Sequence, residues 1–427
     1  MRRYYNQLRQ LATSTTAKDT YILFVGNLVS AFLGFLYTLL VARALTVSDF
    51  GVFSAATNLI YILVSVSDLG ISTGAVNFIA DAHAKGLTTI KEAYMKSSLL
   101  IRSGFMTFIA LIFIIFAPWL SRSLLATDDK TVSIWVAVVS WIYLLSTVFS
   151  FILQAQKKFF KSAMIDIWLN IFRVFLVFLL FLLAGLTLSE TFLAFAGACF
   201  LATIVGFYFV KTKFLFAPTD KSIHLNLLKF SGWLGVNRVL STISGRLDVQ
   251  MLASLSGAVA TGFYSISIKL AFFIVVLVGS FSAVLAPRLA SYGDKNKEKD
   301  YLIKATLATL PMVGVVVAWI IIAKPFILIL FGQKYLQSVT TFQALAAAYI
   351  PFILTAPPVT AIVYSIKKPS LIGIYSVINL ILVFGLNLVF IPKYGQFGPV
   401  ITIAITNVAL AIFSWYIVIK HYWIDRN

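Results

Sequence analysis

The chain has 427 residues; 60% are hydrophobic and only 11% charged, with 34 lysines and arginines against 15 acids. Soluble domains carry about 25% charged residues, so this composition excludes a soluble fold and points to a polytopic membrane protein. The single cysteine (Cys199) excludes a disulfide framework or cysteine metal centre, and His83, His224 and His421 sit near predicted helix ends, so neither metal nor cofactor is expected.

Met1–Thr20 is basic and polar without an apolar core, so the first span is expected to act as an uncleaved insertion signal. A bilayer crossing takes about 20 mostly apolar residues. Twelve are predicted, at 21–42, 51–79, 97–118, 132–154, 162–184, 189–210, 230–254, 260–286, 302–322, 338–364, 370–391 and 398–419. They divide the chain into a basic N-terminal segment (1–20), an N-lobe (21–210), a linker (211–229), a C-lobe (230–419) and a tail (420–427).

With the N-terminus inside, 23 lysines and arginines fall on the cytoplasmic side and 6 outside. Basic loops stay in the cytoplasm, so both termini are expected there. The same distribution removes nucleic acid as a partner: the excess is a topology signal and a surface for anionic membrane lipids.

Within the spans lie Arg102, Arg173, Arg238, Arg246 and Lys269, against Asp68, Asp166 and Asp248. Charge at bilayer depth is costly and faces a polar interior or a partner. The seventh span alone holds Arg238, Arg246 and Asp248. An internal repeat is also visible. Leu45–Ala55 (LTVSDFGVFSA) lies over Ser256–Ile266 (SGAVATGFYSI) at an offset of 211, placing Gly51 on Gly262 and Ser54 on Ser265. Six spans per half imply parallel repeats, whose interface tends to hold the substrate.

Gly26–Gly70 contains Gly34, Ala42-Arg43-x-Leu45, Asp49-Phe50-Gly51 and Asp68-Leu69-Gly70. The second half adds Gly245-Arg246-Leu247-Asp248, Gly262-Phe263-Tyr264, Ala286-Pro287-Arg288-Leu289, Asn379, Asn387 and Ile391-Pro392-Lys393-Tyr394-Gly395-x-x-Gly398. In order and spacing these features resemble the oligosaccharide flippases of the MATE-like exporter superfamily. The resemblance implies an all-α fold of about twelve spans, in two six-helix lobes related by a pseudo-twofold axis along the membrane normal. It implies flipping of an undecaprenyl-diphosphate-linked oligosaccharide, an O-antigen or capsule repeat unit, across the bacterial cytoplasmic membrane by alternating access. Membrane lipids and polysaccharide polymerase or assembly proteins are the implied partners, and no catalytic residue is expected. Tyr21–Ala42 is uncharged, unlike the first helix of lipid II flippases (cationic) or of many multidrug exporters (acidic). The alternatives are a small-molecule exporter, whose interior should be neutral or acidic, and a membrane polymerase or ligase, which needs a larger outer loop. No Walker loop is present, so direct ATP use is not expected.

Arg246 and Lys269 each count about nine or ten residues inward from the outer loop, or about 14 Å. At one depth they suit a diphosphate, whose oxygens match arginine's planar fork. The structural alternative is that Asp248 or a lipid headgroup satisfies them. Arg238 and Asp68 share a depth nearer the cytoplasm and read as a gate for the diphosphate or as a permanent buried pair. Asp248 and Arg43 join Asp68 as gate or ion-pair candidates. Asn27, Asn58 and Asn237, with Asn77, suit sugar recognition or interhelical bonds. Arg173 and Asp166, seven residues apart, read as a packing pair, and Arg102 is expected to snorkel to cytoplasmic headgroups.

Overall fold

The computed structural model describes residues 15–424, which form an all-helical chain. Among the described residues, ten stretches are long and apolar enough to cross a membrane. One of them, Pro369–Ile424, holds two helices, Pro369–Tyr394 and Gly398–Ile419, separated by a turn at Gly395–Phe397. The helix Lys221–Ser244 is long enough but too polar to be counted. With these two, the described helices match the twelve predicted spans.

The described residues form two compact units, one of residues 15–46 with 56–246 and one of residues 47–55 with 247–424. Unit one is built from α1 (Thr15–Ala44), most of α2 (Val47–Asp68), α3 (Ile71–Ala84), α4 (Thr88–Ile115), α5 (Ala117–Leu125), α6 (Lys130–Ala155), α7 (Phe159–Ala184), α8 (Leu188–Val210) and α9 (Lys221–Ser244). Its centre is α6, whose Val136, Leu144, Phe149 and Leu153 are fully buried among α4, α7 and α8. Small residues permit this packing. A Cβ on Gly26 would stand 2.7 Å from Ala163 Cβ, where α1 runs along α7, and one on Gly206 would stand 2.4 Å from the Phe149 ring.

Of the predicted spans that the structure interrupts, two break beside charged residues. The span predicted at 51–79 breaks after Asp68, where Leu69 (φ 42°) and Gly70 (φ 75°) adopt left-handed backbone before α3 begins. The span predicted at 230–254 breaks at Gly245–Arg246, between α9 and α10 (Leu247–Ser291). Backbone interrupted at membrane depth leaves polar groups that need protein or water partners. Both breaks carry the charged residues described below.

In unit two, α10 itself changes direction at Gly257 (φ 85°). The following helices are α11 (Lys295–Leu307), α12 (Leu310–Phe331), α13 (Leu336–Ala348), α14 (Ile350–Tyr364), α15 (Pro369–Tyr394) and α16 (Gly398–Ile419). Phe50, Tyr335 and Phe342 are fully buried in its core, with the Phe50 and Tyr335 rings packed edge to face at 5.9 Å. At another corner, Leu285, Leu302, Ile362, Val418 and Tyr422 cluster over the buried Glu298, whose Oε2 accepts from Tyr422 at 2.8 Å.

Candidate functional site

Unit one holds an open cavity of about 520 Å³ with polar side chains on several walls. Helical periodicity builds its walls, since residues three, four and seven apart share a face. Tyr61, Ser65 and Asp68 come from α2; Tyr143, Thr147, Ser150 and Gln154 from α6; and Arg238 and Thr242 from α9. Ser72 and Thr73 at the start of α3, Arg102 and Asp166 contribute further polar groups. Ser65 Oγ donates to Thr242 Oγ1 at 2.9 Å, tying α2 to α9.

At one end Asp68, with a side chain 3% exposed, is the anchor. Its Oδ1 lies 3.2 Å from Arg102 Nε and 3.1 Å from the Ser72 amide that donates to it. Oδ2 accepts from Ser72 Oγ at 2.8 Å and lies 3.5 Å from Arg238 Nε. A carboxylate beside the first amides of α3 is where a helix terminus favours negative charge.

The buried position of Arg102 corrects the expectation that it reaches the headgroups. Its guanidinium donates to Thr147 Oγ1 at 3.1 Å and stacks 5.4 Å from the Phe151 centroid. The helix starts at Thr88, not near residue 97, so Arg102 stands fourteen residues inside it, roughly 21 Å of rise. A carboxylate within reach outcompetes a distant headgroup.

At the other end Arg246 occupies the break before α10. Its guanidinium lies 4.6 Å from the Tyr61 centroid, and Nη1 donates to Asn58 Oδ1 at 3.3 Å. Asn58, which is buried, donates Nδ2 back to the Arg246 carbonyl at 2.9 Å. One side chain therefore bonds the backbone at the break and orients the cation. Among the described residues Arg246 forms no ion pair.

Behind the Tyr61 and Tyr143 wall, Arg173 is caged by aromatic rings, 4.1 Å from the Phe195 centroid, 5.7 Å from Tyr143 and 5.8 Å from Tyr37. It donates to Tyr61 Oη and Asn170 Oδ1, both at 3.4 Å. The predicted Arg173–Asp166 ion pair is absent among the described residues. Seven residues of rise separate them by about 10.5 Å, and Asp166 turns into the cavity instead.

Asn58, Asp68, Arg238 and Arg246 are thus assembled in one unit, while other candidates lie elsewhere. Lys269 is an exposed residue among mostly buried neighbours on α10 in unit two, 5.8 Å from the Phe50 centroid. Asp248, in the first turn of α10, accepts from Tyr264 Oη and from the Val249 amide. Arg43 is exposed in the last turn of α1, and Asn27 is exposed on the same helix, away from the cavity. The Asn237 side chain lies outside the described residues. No cluster of metal-ligating side chains occurs among the described residues.

The sequence reading did not anticipate Tyr61, Tyr143, Thr147, Ser150, Phe151 or Gln154. On α6 the i, i+4, i+7, i+11 run of Tyr143, Thr147, Ser150 and Gln154 was the available signal, a stripe of hydrogen-bonding side chains along one face.

A family model described as polysaccharide biosynthesis protein matches residues 16–293. No curated protein sequence matches the chain. Among solved structures, an inward-facing multidrug resistance MATE family transporter of the MOP superfamily is similar at 16% identity and a TM-score of 0.74, over 95% of this chain and 100% of that one. The lipid II flippase MurJ in an inward closed conformation is similar at 16% identity and a TM-score of 0.71, over 93% and 87%. A MOP superfamily transporter from Pyrococcus furiosus is similar at 16% identity and a TM-score of 0.62, over 95% and 96%. At these identities the likeness establishes a MATE-like fold.

Proposed function

Given that the chain belongs to the polysaccharide biosynthesis protein family, we propose that it flips an undecaprenyl-diphosphate-linked oligosaccharide repeat unit. The movement is from the inner to the outer leaflet of the bacterial cytoplasmic membrane, by alternating access. The observation that carries this reading is the charge of the unit-one cavity. Three arginines face two aspartates there, and Asp68 is already engaged with Arg102 and Arg238. Arg246 remains oriented by Asn58 and Tyr61, without a carboxylate partner among the described residues. A cation kept in a membrane interior marks a substrate path, and a guanidinium binds phosphate oxygens in bidentate fashion.

The remaining lining suits sugar. Hydroxyls of Ser65, Thr147, Ser150 and Thr242 with the Gln154 amide offer donors and acceptors, and Tyr61, Tyr143 and Phe151 offer apolar faces. The volume, about 520 Å³, falls in the range of roughly 300–1,000 Å³ usual for small-molecule sites. It accommodates a diphosphate with its first sugars, leaving the polyprenyl chain in lipid. An exporter of cationic drugs would need the opposite sign.

The test is flipping in proteoliposomes. A fluorescent polyprenyl-diphosphate oligosaccharide loaded in one leaflet should become accessible to an impermeant quencher only with the protein present. Protein that exports a cationic dye but leaves the lipid-linked sugar in place would overturn the reading.

A further inference from the structure

We propose that Asp68, Arg102 and Arg238 form a charge-exchange latch, in which an anion entering the cavity draws Arg238 off Asp68 and thereby reports that the site is occupied. This rests on the reading that the cavity takes an anionic group.

The two arginines hold Asp68 unequally. Arg102 is 3% exposed at its side chain and fixed on three sides, by Asp68, Thr147 and Phe151. Arg238 is 53% exposed, faces the cavity and approaches Asp68 at 3.5 Å, at the limit of a hydrogen bond. A carboxylate has about four acceptor positions. Without Arg238, Asp68 keeps Arg102, the Ser72 amide and the Ser72 hydroxyl. Arg238 on release turns to an exposed cavity wall, whereas Arg102, itself buried, would keep only Thr147 and the Phe151 ring. Arg238 is the exchangeable member, and Arg102 makes it so.

The latch sits on a backbone joint. Leu69 and Gly70, directly after Asp68, are left-handed, and left-handed backbone in a leucine is strained. Gly235, one turn before Arg238 on α9, presses on this joint: a Cβ there would stand 2.1 Å from Leu69 O. Ser72 Oγ joins the two sides, donating to Asp68 Oδ2 and accepting from Arg238 Nη1 at 3.0 Å. With the cavity empty, α9 is tied to the joint between α2 and α3 through Arg238. With an anion present, that tie is released, so a loaded carrier differs mechanically from an empty one.

The experiment is titration of the full-length protein in lipid nanodiscs with inorganic pyrophosphate, by calorimetry. Ser72→Ala loosens Arg238 while leaving the Asp68–Arg102 pair, and should bind about threefold more tightly than wild type. Asp68→Asn with Arg102→Met removes one charge of each sign, keeps the net charge of the cavity, and should bind three- to tenfold more tightly, because Arg238 is free beforehand. Arg238→Gln should bind at least about fivefold more weakly. If the Ser72→Ala protein binds as wild type does, or the double variant binds more weakly, Arg238 does not leave Asp68 and the latch is wrong, while pyrophosphate binding lost in Arg246→Gln would still uphold the anion site. Wild type showing no saturable pyrophosphate binding would overturn both.

Discussion

Gly51 and Gly262, which hold corresponding places in the two repeated segments, meet each other in unit two. A Cβ on Gly51 would stand 1.8 Å from the Ala258 carbonyl oxygen and 2.9 Å from the Gly262 amide nitrogen; one on Gly262 would stand 2.3 Å from the Val47 carbonyl oxygen. These neighbours are backbone and cannot rotate aside. Alanine gains about 1 kcal/mol of helix propensity over glycine, but overpacking costs about 1–3 kcal/mol and more where backbones must part. Gly51→Ala and Gly262→Ala are each expected to lower the thermal midpoint of purified protein. Gly314→Ala, with nothing within 4 Å of its Cβ position, is the control and should hold or raise it. Equal midpoints for all three would show that the crossing is not tight.

The Asp68–Arg102 pair gives a second expectation, on stability. Breaking a buried pair by removing one partner costs about 3–5 kcal/mol, whereas replacing both with apolar or neutral groups is often neutral. Arg102→Met alone and Asp68→Asn alone should each reduce the yield of folded protein and its melting temperature. The double variant should recover most of the loss. Additive losses would show that the two side chains act independently, despite the 3.2 Å between them.

Much of the fold and part of the site could be read from the chain, and the misses have physical causes. Span number follows from hydropathy because lipid demands long apolar helices. The breaks at Leu69–Gly70 and Gly245–Arg246 were hidden because hydropathy averages over a window and ignores backbone dihedrals. Asp68, Arg238, Arg246 and Asn58 were legible because polar groups at depth need a reason. Arg102 was misplaced because its distance from a predicted span end was used in place of its distance from the nearest acid. The hydroxyl stripe of α6 was missed because serine and threonine are cheap in helices and bond to their own carbonyls, as Thr147 Oγ1 does to Leu144 O at 2.7 Å.

Topology gives a third expectation. Lys297, on α11, and Asp128, before α6, are both exposed, and Asp128 is held only by an exposed pair with Arg122 at 2.7 Å. Such a pair contributes little, so cysteines at either position should be tolerated. If the basic loops face the cytoplasm, Asp128→Cys should react with an impermeant maleimide in intact cells. Lys297→Cys should react only after the inner face is opened. The opposite pattern would reverse the orientation.

Arg246 carries the last expectation, and its setting separates binding from structure. It has no ion pair among the described residues to lose, only the Tyr61 stack and one Asn58 bond. Arg246 is only half-buried, so neutralising it should leave folding intact and the thermal midpoint near that of wild type. A charge-assisted bond to phosphate is worth about 1.5–3 kcal/mol, so Arg246→Gln should weaken lipid-diphosphate binding about 10- to 150-fold at unchanged expression. Arg246→Lys keeps the charge but loses the planar fork and much of the stack on Tyr61, and should fall between. Lys269→Gln tests whether the second predicted cation, in unit two, joins the same step; a loss comparable to that of Arg246→Gln is expected if it does. The measurements are flipping rate in proteoliposomes and thermal midpoint, taken on the same preparations. A normal midpoint with lost flipping assigns Arg246 to the substrate. A lowered midpoint with native flipping per folded molecule would make it a structural residue, holding Asn58 and the break before α10 in place.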